Sequence, residues 1–197
     1  MKTQSKVKKG ERSKQRFLEA TADLLARQGY HATGLNQIVK QSGAPKGSLY
    51  FHFPGGKEEL AARALSAAGE ETYAELGDAL AGATGIRDVL DRLVGYFARQ
   101  LEESRFELGC PVATVALEAA ATSEKVRGAA CEVYQRWQEL AARFAAATGL
   151  EEEEARQVGL FMLSAIEGAM LLCRVYRSTE PLEVAARQLE QLLAPRA

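Results

Sequence analysis

The sequence has few of the residues that build catalytic and metal-binding sites. Its 197 residues include two His and three Cys, and the cysteines lie far apart at Cys110, Cys131 and Cys173. No C-x-x-C pair is present, which argues against zinc and disulfide frameworks and predicts buried, inert thiols. Both histidines, His31 and His52, lie in the N-terminal third, so the rest of the chain cannot hold a His-based catalytic triad.

Common enzyme motifs and long apolar runs are also absent. The chain has no G-x-S-x-G elbow, H-E-x-x-H or G-x-G-x-x-G, and Gly56-Lys57 lacks the earlier glycine of a P-loop. We therefore predict no enzyme activity, no cofactor and no metal site. The longest apolar run, Val158 to Cys173, is short for a membrane span and contains Ser164 and Glu167. Together with a polar, basic start, this predicts a soluble cytoplasmic protein without a signal peptide.

Proline is scarce, while Ala and Leu are abundant, and this composition favours helices. Apolar residues recur with the helical period, and no strand-like alternation is present. The sequence therefore predicts an all-α fold of about nine helices. They cover about residues 11–28, 34–42, 45–53, 57–80, 86–103, 111–120, 123–148, 151–176 and 181–194, and Gly29 is predicted to end the first of them.

The net charge of −1 hides an uneven distribution. Residues 1–63 carry a net charge of +7, whereas residues 64–197 carry −8. A basic N-terminal region attached to an acidic body is typical of proteins whose N-terminal region meets a polyanion. Residues 1–10 are rich in lysine and show no apolar period, so they are predicted to form a flexible basic arm.

The region from residue 33 to residue 60 has the pattern of a helix-turn-helix. Gly43 supplies a tight turn, Pro45 suits the first turn of the following helix, and Leu49 anchors that helix to a core. The outer face of such a helix fits the major groove of DNA, where each base pair displays its own donors and acceptors. The predicted DNA contacts are Thr33, Lys46, Ser48, Tyr50, His52 and Lys57.

These contacts have different predicted roles. Lys46 can donate to guanine edges or to phosphate, and the hydroxyl groups can donate to phosphate. Alternatives stay open: Tyr50 as a core aromatic residue, His52 as a cap, and Lys57 as part of a solvated helix start. Phe51 is predicted to be packed or to lie at the helix edge rather than to read bases.

The segment TGLNQIVKQSGAPKGSLYFHFPGGKEEL, residues 33–60, resembles the DNA-binding signature of the TetR family of bacterial repressors. Its core G-x-x-K-G-x-L-Y-x-H-F, followed by K-E-x-L, carries the resemblance. The segments at 109–120 and 167–182 resemble the branch with the lincomycin-resistance and flavonoid-responsive repressors. The resemblance implies a helix-turn-helix DNA-binding domain at residues 11–60 and an effector-binding and dimerisation domain at residues 61–197.

Two positions depart from the pattern of that family. Ala44-Pro45 stands where many members have Val-Ser, so the usual Ser cap is absent. Gly34 stands where many members have Thr, so one hydroxyl on the phosphate side is missing. Both departures affect the detail of the DNA contacts and leave the resemblance intact.

The helix predicted at 151–176 is apolar on nearly every side, which predicts burial on every side. A monomer core can bury such a helix. A dimer explains it better, because the last helix has its own apolar stripe and two such helices from each subunit form a four-helix interface. The predicted interface residues are Val158, Met162, Ala165, Ala169, Leu172, Tyr176, Leu182, Ala185, Leu189 and Leu192.

The middle helices are predicted to enclose an effector. Aromatic and Met side chains suit a plastic apolar pocket, although core packing explains each of them as well. The candidate ligand-binding residues are Tyr73, Phe97, Val112, Tyr134, Trp137, Met162, Glu167 and Met170. Glu167, an acid in an apolar helix, is interpreted either as half of a salt bridge with Arg174 or Arg136 or as a polar anchor for the effector.

The sequence thus predicts a homodimeric repressor that binds a palindromic double-stranded DNA operator and is released by a small apolar, aromatic effector. One alternative is a constitutive DNA-binding protein without an effector. Another is a redox- or electrophile-sensing repressor, since Cys110 precedes a helix start, where a thiolate is favoured. A helical enzyme with a vestigial DNA-binding region would need a catalytic constellation that the sequence lacks.

Overall fold

The computed structural model describes the backbone of residues 2–194 and the side chains of residues 10–194. Within this part all regular secondary structure is helical, which confirms the predicted all-α fold. The nine helices are α1 (Lys2–Ala32), α2 (Leu35–Ser42), α3 (Lys46–His52), α4 (Gly56–Leu80), α5 (Gly85–Glu103), α6 (Pro111–Ala119), α7 (Glu124–Ala146), α8 (Glu152–Tyr176) and α9 (Glu180–Leu193).

Local sequence signals account for the break in α1 and the start of α7. Gly29 interrupts α1 with a φ of 79°, a value that favours glycine, so the regular helix breaks there as predicted. Ser123 caps α7, because its Oγ accepts a hydrogen bond from the N–H of Val126 at 3.2 Å.

The start of α1 differs from the prediction. Periodicity placed it near Glu11, whereas the helical backbone begins at Lys2. The side chains of residues 1–9 lie outside the described residues. The basic arm at residues 1–10 therefore stays a prediction.

The chain forms two compact units. The first unit contains the chain up to Glu70 together with Pro111–Val133, and the second contains Glu71–Cys110 and the chain from Tyr134 onward. Helix α6 belongs to the first unit because it packs along α1. In the second unit α9 packs against α5 and α8. The boundary predicted at residue 60 followed chain order, which does not reveal that α6 joins the N-terminal helices.

A core of large apolar side chains orients the first three helices. Phe17 of α1 and Phe53, just after α3, are fully buried and meet edge to face with ring centroids 6.3 Å apart. Ile38 of α2 and Leu49 of α3 are also buried, which confirms Leu49 as the anchor of its helix. Burial of each such side chain contributes about 1.5–3 kcal/mol, so the inner face of α3 fixes which face points outward.

Helix α8 is buried on one face within the protomer, so a monomer core does not bury it on every side, and burial of the other face by a dimer stays a prediction. Met162, Ile166 and Cys173 lie inside the protomer. By length and composition α8 could cross a membrane, and 33% of its most apolar window is buried in the structure. The other face exposes Leu160, Phe161, Leu171, Leu172, Val175 and Tyr176. We call these six residues the α8 apolar face.

Part of the predicted dimer interface is wrong, because some of its residues lie on the faces of α8 and α9 that are buried within the protomer. Leu172, Tyr176 and Leu192 are exposed, and Val158, Ala165 and Ala185 are half-buried. Four predicted interface residues are instead buried within their own protomer, because the inner stripes of α8 and α9 pack into the core of the second unit. These four are Met162, Ala169, Leu182 and Leu189.

Candidate nucleic-acid interface

The turn between α2 and α3 has the geometry that a helix-turn-helix requires. Gly43 ends α2 in the left-handed conformation, with a φ of 56°, and its N–H donates to the carbonyl of Val39 at 3.2 Å. The next residue, Ala44, is buried, and its N–H donates to Oγ of Ser42 at 3.2 Å. A side chain at residue 43 would be strained by this φ, so the glycine makes the tight turn possible.

Helix α3 presents a well-exposed outer face. Tyr50 is 54% exposed, and Lys46 and Gly47 are exposed as well. Lys46 and Tyr50 are therefore accessible to base edges and phosphates, and the interpretation of Tyr50 as a core aromatic residue is wrong. Phe51 is 81% exposed, so the alternative that it is packed is wrong, whereas a position at the edge of the helix stays a prediction.

Ser48 and His52 have partners within the protomer. The Ser48 hydroxyl donates to the carbonyl of Pro45 at 2.7 Å and must leave this bond before it can donate to a phosphate. His52 is half-buried, and its ring lies edge to face with the rings of Phe51 and Phe53, at centroid distances of 5.1 and 6.2 Å. Both residues stay predicted contacts.

Thr33 is a predicted DNA contact that the structure contradicts. Its side chain is 1% exposed, and its Oγ1 donates to the carbonyl of Gly29 at 2.7 Å. This bond satisfies a carbonyl that the break in α1 leaves without its helical donor. The hydroxyl therefore holds the end of α1 in place and is not available to a phosphate.

Lys57 lies in a polar cluster at the start of α4. Its Nζ is 4.4 Å from the centroid of the Tyr30 ring. Burial lowers the pKa of Lys57, and the negative charge of Glu118 raises it in part. Glu118, on α6, also accepts a hydrogen bond from the backbone N–H of His31 at 2.8 Å. We call Tyr30, His31, Lys57 and Glu118 the α1–α6 joint. Lys57 stays a predicted DNA contact.

Arg16 is a basic residue near the helix-turn-helix that was not among the predicted DNA contacts. Its guanidinium lies against the turn, 2.5 Å from where a Cβ on Gly43 would stand. With Glu19 and Gln41 it lines an open groove between α1 and α2. The excess of basic residues before residue 63 was the available signal, but the position of Arg16 beside the turn follows from tertiary packing.

The second unit holds a small apolar cavity of about 70 Å³. Its walls come from α4, α5, α7 and α8 and include Leu76, Leu140 and Ile166. Of the predicted ligand-binding residues, Phe97, Trp137 and Met162 line this cavity. The aliphatic residues of these walls were not predicted as ligand-binding residues, because Leu and Ile at helical spacing follow the same pattern in a core and around a cavity.

The other predicted ligand-binding residues lie outside the walls of the cavity. The Tyr73 hydroxyl accepts a hydrogen bond from Arg143 at 2.7 Å, and Arg136 lies over the Tyr73 ring at 4.9 Å from its centroid. Val112 is fully buried in the first unit. Met170 is buried as well.

Glu167 and Tyr134 meet at the thiol of Cys110, which hydrogen-bonds to both side chains. Burial raises the pKa of Glu167, and the hydrogen bond with Cys110 lowers it in part. Burial, and then the charge of Glu167, also raises the pKa of Tyr134. The alternative of a salt bridge between Glu167 and Arg174 or Arg136 is wrong, because the described partner of the carboxyl group is Cys110, and the Arg174 guanidinium donates to the carbonyl of Glu107 at 3.1 Å.

The surroundings of the three cysteines bear on the sensor alternative. Cys110 and Cys173 are buried as predicted, whereas Cys131 is exposed. A buried thiol beside a carboxyl group favours the protonated form, whereas reactive cysteines lie in accessible, electropositive surroundings. The structure therefore does not favour Cys110 as a redox or electrophile sensor.

Comparison with known proteins gives matches in both parts of the chain. Residues 17–64 match the family described as bacterial regulatory proteins, tetR family. Residues 87–188 match the C-terminal domain of LmrA/YxaF-like transcriptional regulators. The Bacillus subtilis regulator YxaF is 37% identical over 92% of this chain and 95% of its own length. LmrA, an HTH-type transcriptional regulator of the same organism, is 35% identical over 86% and 90%.

Solved structures agree with these sequence matches. A TetR transcriptional regulator from Chloroflexus aurantiacus superposes with a TM-score of 0.80 and 27% identity, over 96% of this chain and 98% of that one. The regulatory protein TetR from Rhodobacter sphaeroides also superposes with a TM-score of 0.80, at 23% identity over 90% and 96% of the two chains.

The exposed α3 behind a glycine turn defines a helix-turn-helix DNA-binding protein. The chain belongs to the TetR family of bacterial transcriptional regulators and has an LmrA/YxaF-like C-terminal domain. Members of this family are DNA-binding regulators and not enzymes, which confirms the predicted class. TetR regulators bind DNA operators and act as dimers.

Proposed function

We propose that this protein is a homodimeric repressor whose two α3 helices read the halves of a palindromic operator. The exposed face of α3, with Lys46 and Tyr50, is the observation that carries the proposal. The net charge of +7 over residues 1–63 adds an attraction for phosphate that does not depend on base sequence. In a two-fold dimer the two helices would occupy half-sites about 34–36 Å apart. Such a regulator works where the chromosome is, so we place it in the cytoplasm.

The α8 apolar face supports the dimer. Val175 is 67% exposed, and Phe161 and Leu171 are more than half exposed. A contiguous apolar surface of this kind marks an interaction site in a soluble protein. A second copy of the same face is the simplest cover, because a two-fold axis pairs identical surfaces. This cover accounts for the apolar composition of α8 without a membrane.

The apolar cavity supports control by a small apolar effector. Its volume of about 70 Å³ is well below the ~300–1,000 Å³ of typical ligand pockets. An effector would therefore enlarge it by moving the surrounding helices, among them α4. That helix starts at Gly56 in the first unit and ends at Leu80 in the second, so its displacement would change the spacing of the two α3 helices. A ligand that favours a mismatched spacing must weaken operator binding.

Trp137, the single Trp of the chain, lines the cavity and provides the test. Neutral aromatic compounds of two or three rings should change its fluorescence in the wild type. Ala141→Leu should reduce this response, because Ala141 is also in the cavity wall. Calorimetric affinity for the ligand should fall about 5–150-fold when operator DNA is bound. Equal ligand affinity with and without operator would contradict effector release.

A further inference from the structure

Phe51 is a large apolar residue on the outer face of α3. It is 81% exposed, and its described ring contact is the edge-to-face arrangement with His52 at 5.1 Å. Its exposed neighbours on α3 are Lys46, Gly47 and Tyr50. Lys46 is charged, Gly47 has no side chain, and Tyr50 carries a polar hydroxyl group. Because most of the ring faces solvent, packing inside the protomer does not explain why an apolar side chain stands at this position.

The helical register places the Phe51 ring over an open turn. Gly47 precedes Phe51 by four residues, so the two share a face of α3, and helical side chains lean toward the N-terminus. A Cβ built on Gly47 would meet no atom within 4 Å. This turn is therefore free to approach a base edge closely, with the Phe51 ring beside it.

The chemistry of the ring limits what it can bind in the major groove. Phenylalanine has no donor for phosphate and no partner for the polar atoms of a base edge. The apolar group that a base pair displays in the major groove is the C5 methyl group of thymine. We propose that Phe51 packs against a thymine methyl group in each half-site and so determines specificity at that position. This inference rests on the proposed reading of the operator by α3.

Removing single methyl groups from the DNA tests the contact. An operator is first selected from random duplexes with the wild-type protein. Each thymine is then replaced by deoxyuridine at symmetric positions, and binding is measured by fluorescence anisotropy. Burial of one methyl group corresponds to about a fourfold change in affinity. We expect wild-type affinity to fall about fourfold per half-site at one thymine position, and Phe51→Ala to be insensitive to the same replacement.

Three further variants make the outcome specific. Leu117→Ala removes an apolar side chain that is 84% exposed on α6, and it should keep the wild-type sensitivity to deoxyuridine. If Lys46→Ala weakens binding but no deoxyuridine does so, the thymine contact is overturned while reading by α3 stands. Full deoxyuridine sensitivity in Phe51→Ala would also overturn it. If neither Lys46→Ala nor Tyr50→Ala changes affinity, the proposed reading by α3 itself fails.

Discussion

The two compact units differ in how they cover their apolar side chains. In the first unit the described large apolar residues that stay exposed are Tyr50 and Phe51 on α3 and Leu117 on α6. The second unit exposes the α8 apolar face together with Val184 and Leu192 of α9, and it encloses an apolar cavity. The first unit therefore buries most of its large apolar side chains within one protomer, whereas the second unit leaves an apolar face exposed and an apolar cavity inside, and the proposed dimer and effector would fill these.

The largest expected effect is on the free energy of unfolding, and it distinguishes two phenylalanines of the first unit. Phe17→Ala should lower the free energy of unfolding by about 3–5 kcal/mol, because Phe17 is fully buried against Phe53. Phe51→Ala should change it by less than about 0.5 kcal/mol, because Phe51 is exposed. Urea denaturation measures both values. Similar losses in the two variants would contradict the division between the inner and outer sides of the first unit.

A charge introduced on α8 should have different effects at a residue of the proposed dimer interface and at a residue of the protomer core. Val175→Glu should dissociate the dimer but leave the protomer folded, since an unpaired charge in an interface costs about 3 kcal/mol or more. Ala169→Glu should instead unfold the protomer, because Ala169 is buried within it. Sedimentation velocity and circular dichroism distinguish the two results. Leu117→Glu, at an exposed apolar position on α6, is the control; a Val175→Glu variant that stays dimeric would refute this interface.

The α1–α6 joint should make a smaller contribution to stability. Glu118→Ala removes the acceptor of the His31 N–H, and we expect the free energy of unfolding to fall by about 1 kcal/mol. Glu132→Ala removes an exposed glutamate from α7 and serves as the matched control. Urea denaturation of both variants gives the comparison, and equal stabilities would show that the joint contributes nothing to folding.

Glu167 should produce an effect that is visible as a dependence of stability on pH. Burial raises its pKa above the ordinary value of 4.5, so its favourable contribution is present below pH 4.5 and is lost as the pH rises through the folded-state pKa. Between pH 4.5 and 7 the free energy of unfolding should therefore decline less, or rise more, in Glu167→Gln than in the wild type. Parallel curves from urea denaturation across this range would contradict the assignment.

The first unit was largely predictable from sequence because its signals are local. Gly43 marks the turn, Pro45 precedes a helix start, and Leu49 marks the buried face, and each operates within a few residues of its own position. Thr33 shows the limit of such reasoning. Its hydroxyl group donates a hydrogen bond to the Gly29 carbonyl, which lacks its helical donor because α1 breaks there. This contact can be seen in the folded structure and not in the sequence.

The second unit was less predictable because burial there depends on distant helices. The periodicity of α8 identified apolar residues on several faces but could not say which face α9 covers. Ala169 and Leu189 were therefore assigned to an interface although they lie in the protomer core. Glu167 is a similar case, since its partner Cys110 lies far away in sequence and carries no charge that would suggest pairing.

Operator binding by variants of α3 tests the central claim most directly. Fluorescence anisotropy with the selected operator should show Lys46→Ala and Tyr50→Ala each weakening binding by about 1–3 kcal/mol if they contact base edges. Arg187→Ala, which removes an exposed arginine of α9 in the second unit, should bind as the wild type does. Wild-type affinity should also fall steeply with salt, because bound phosphates release counterions. Unchanged affinity in both α3 variants would contradict the account that the first unit reads DNA through this helix.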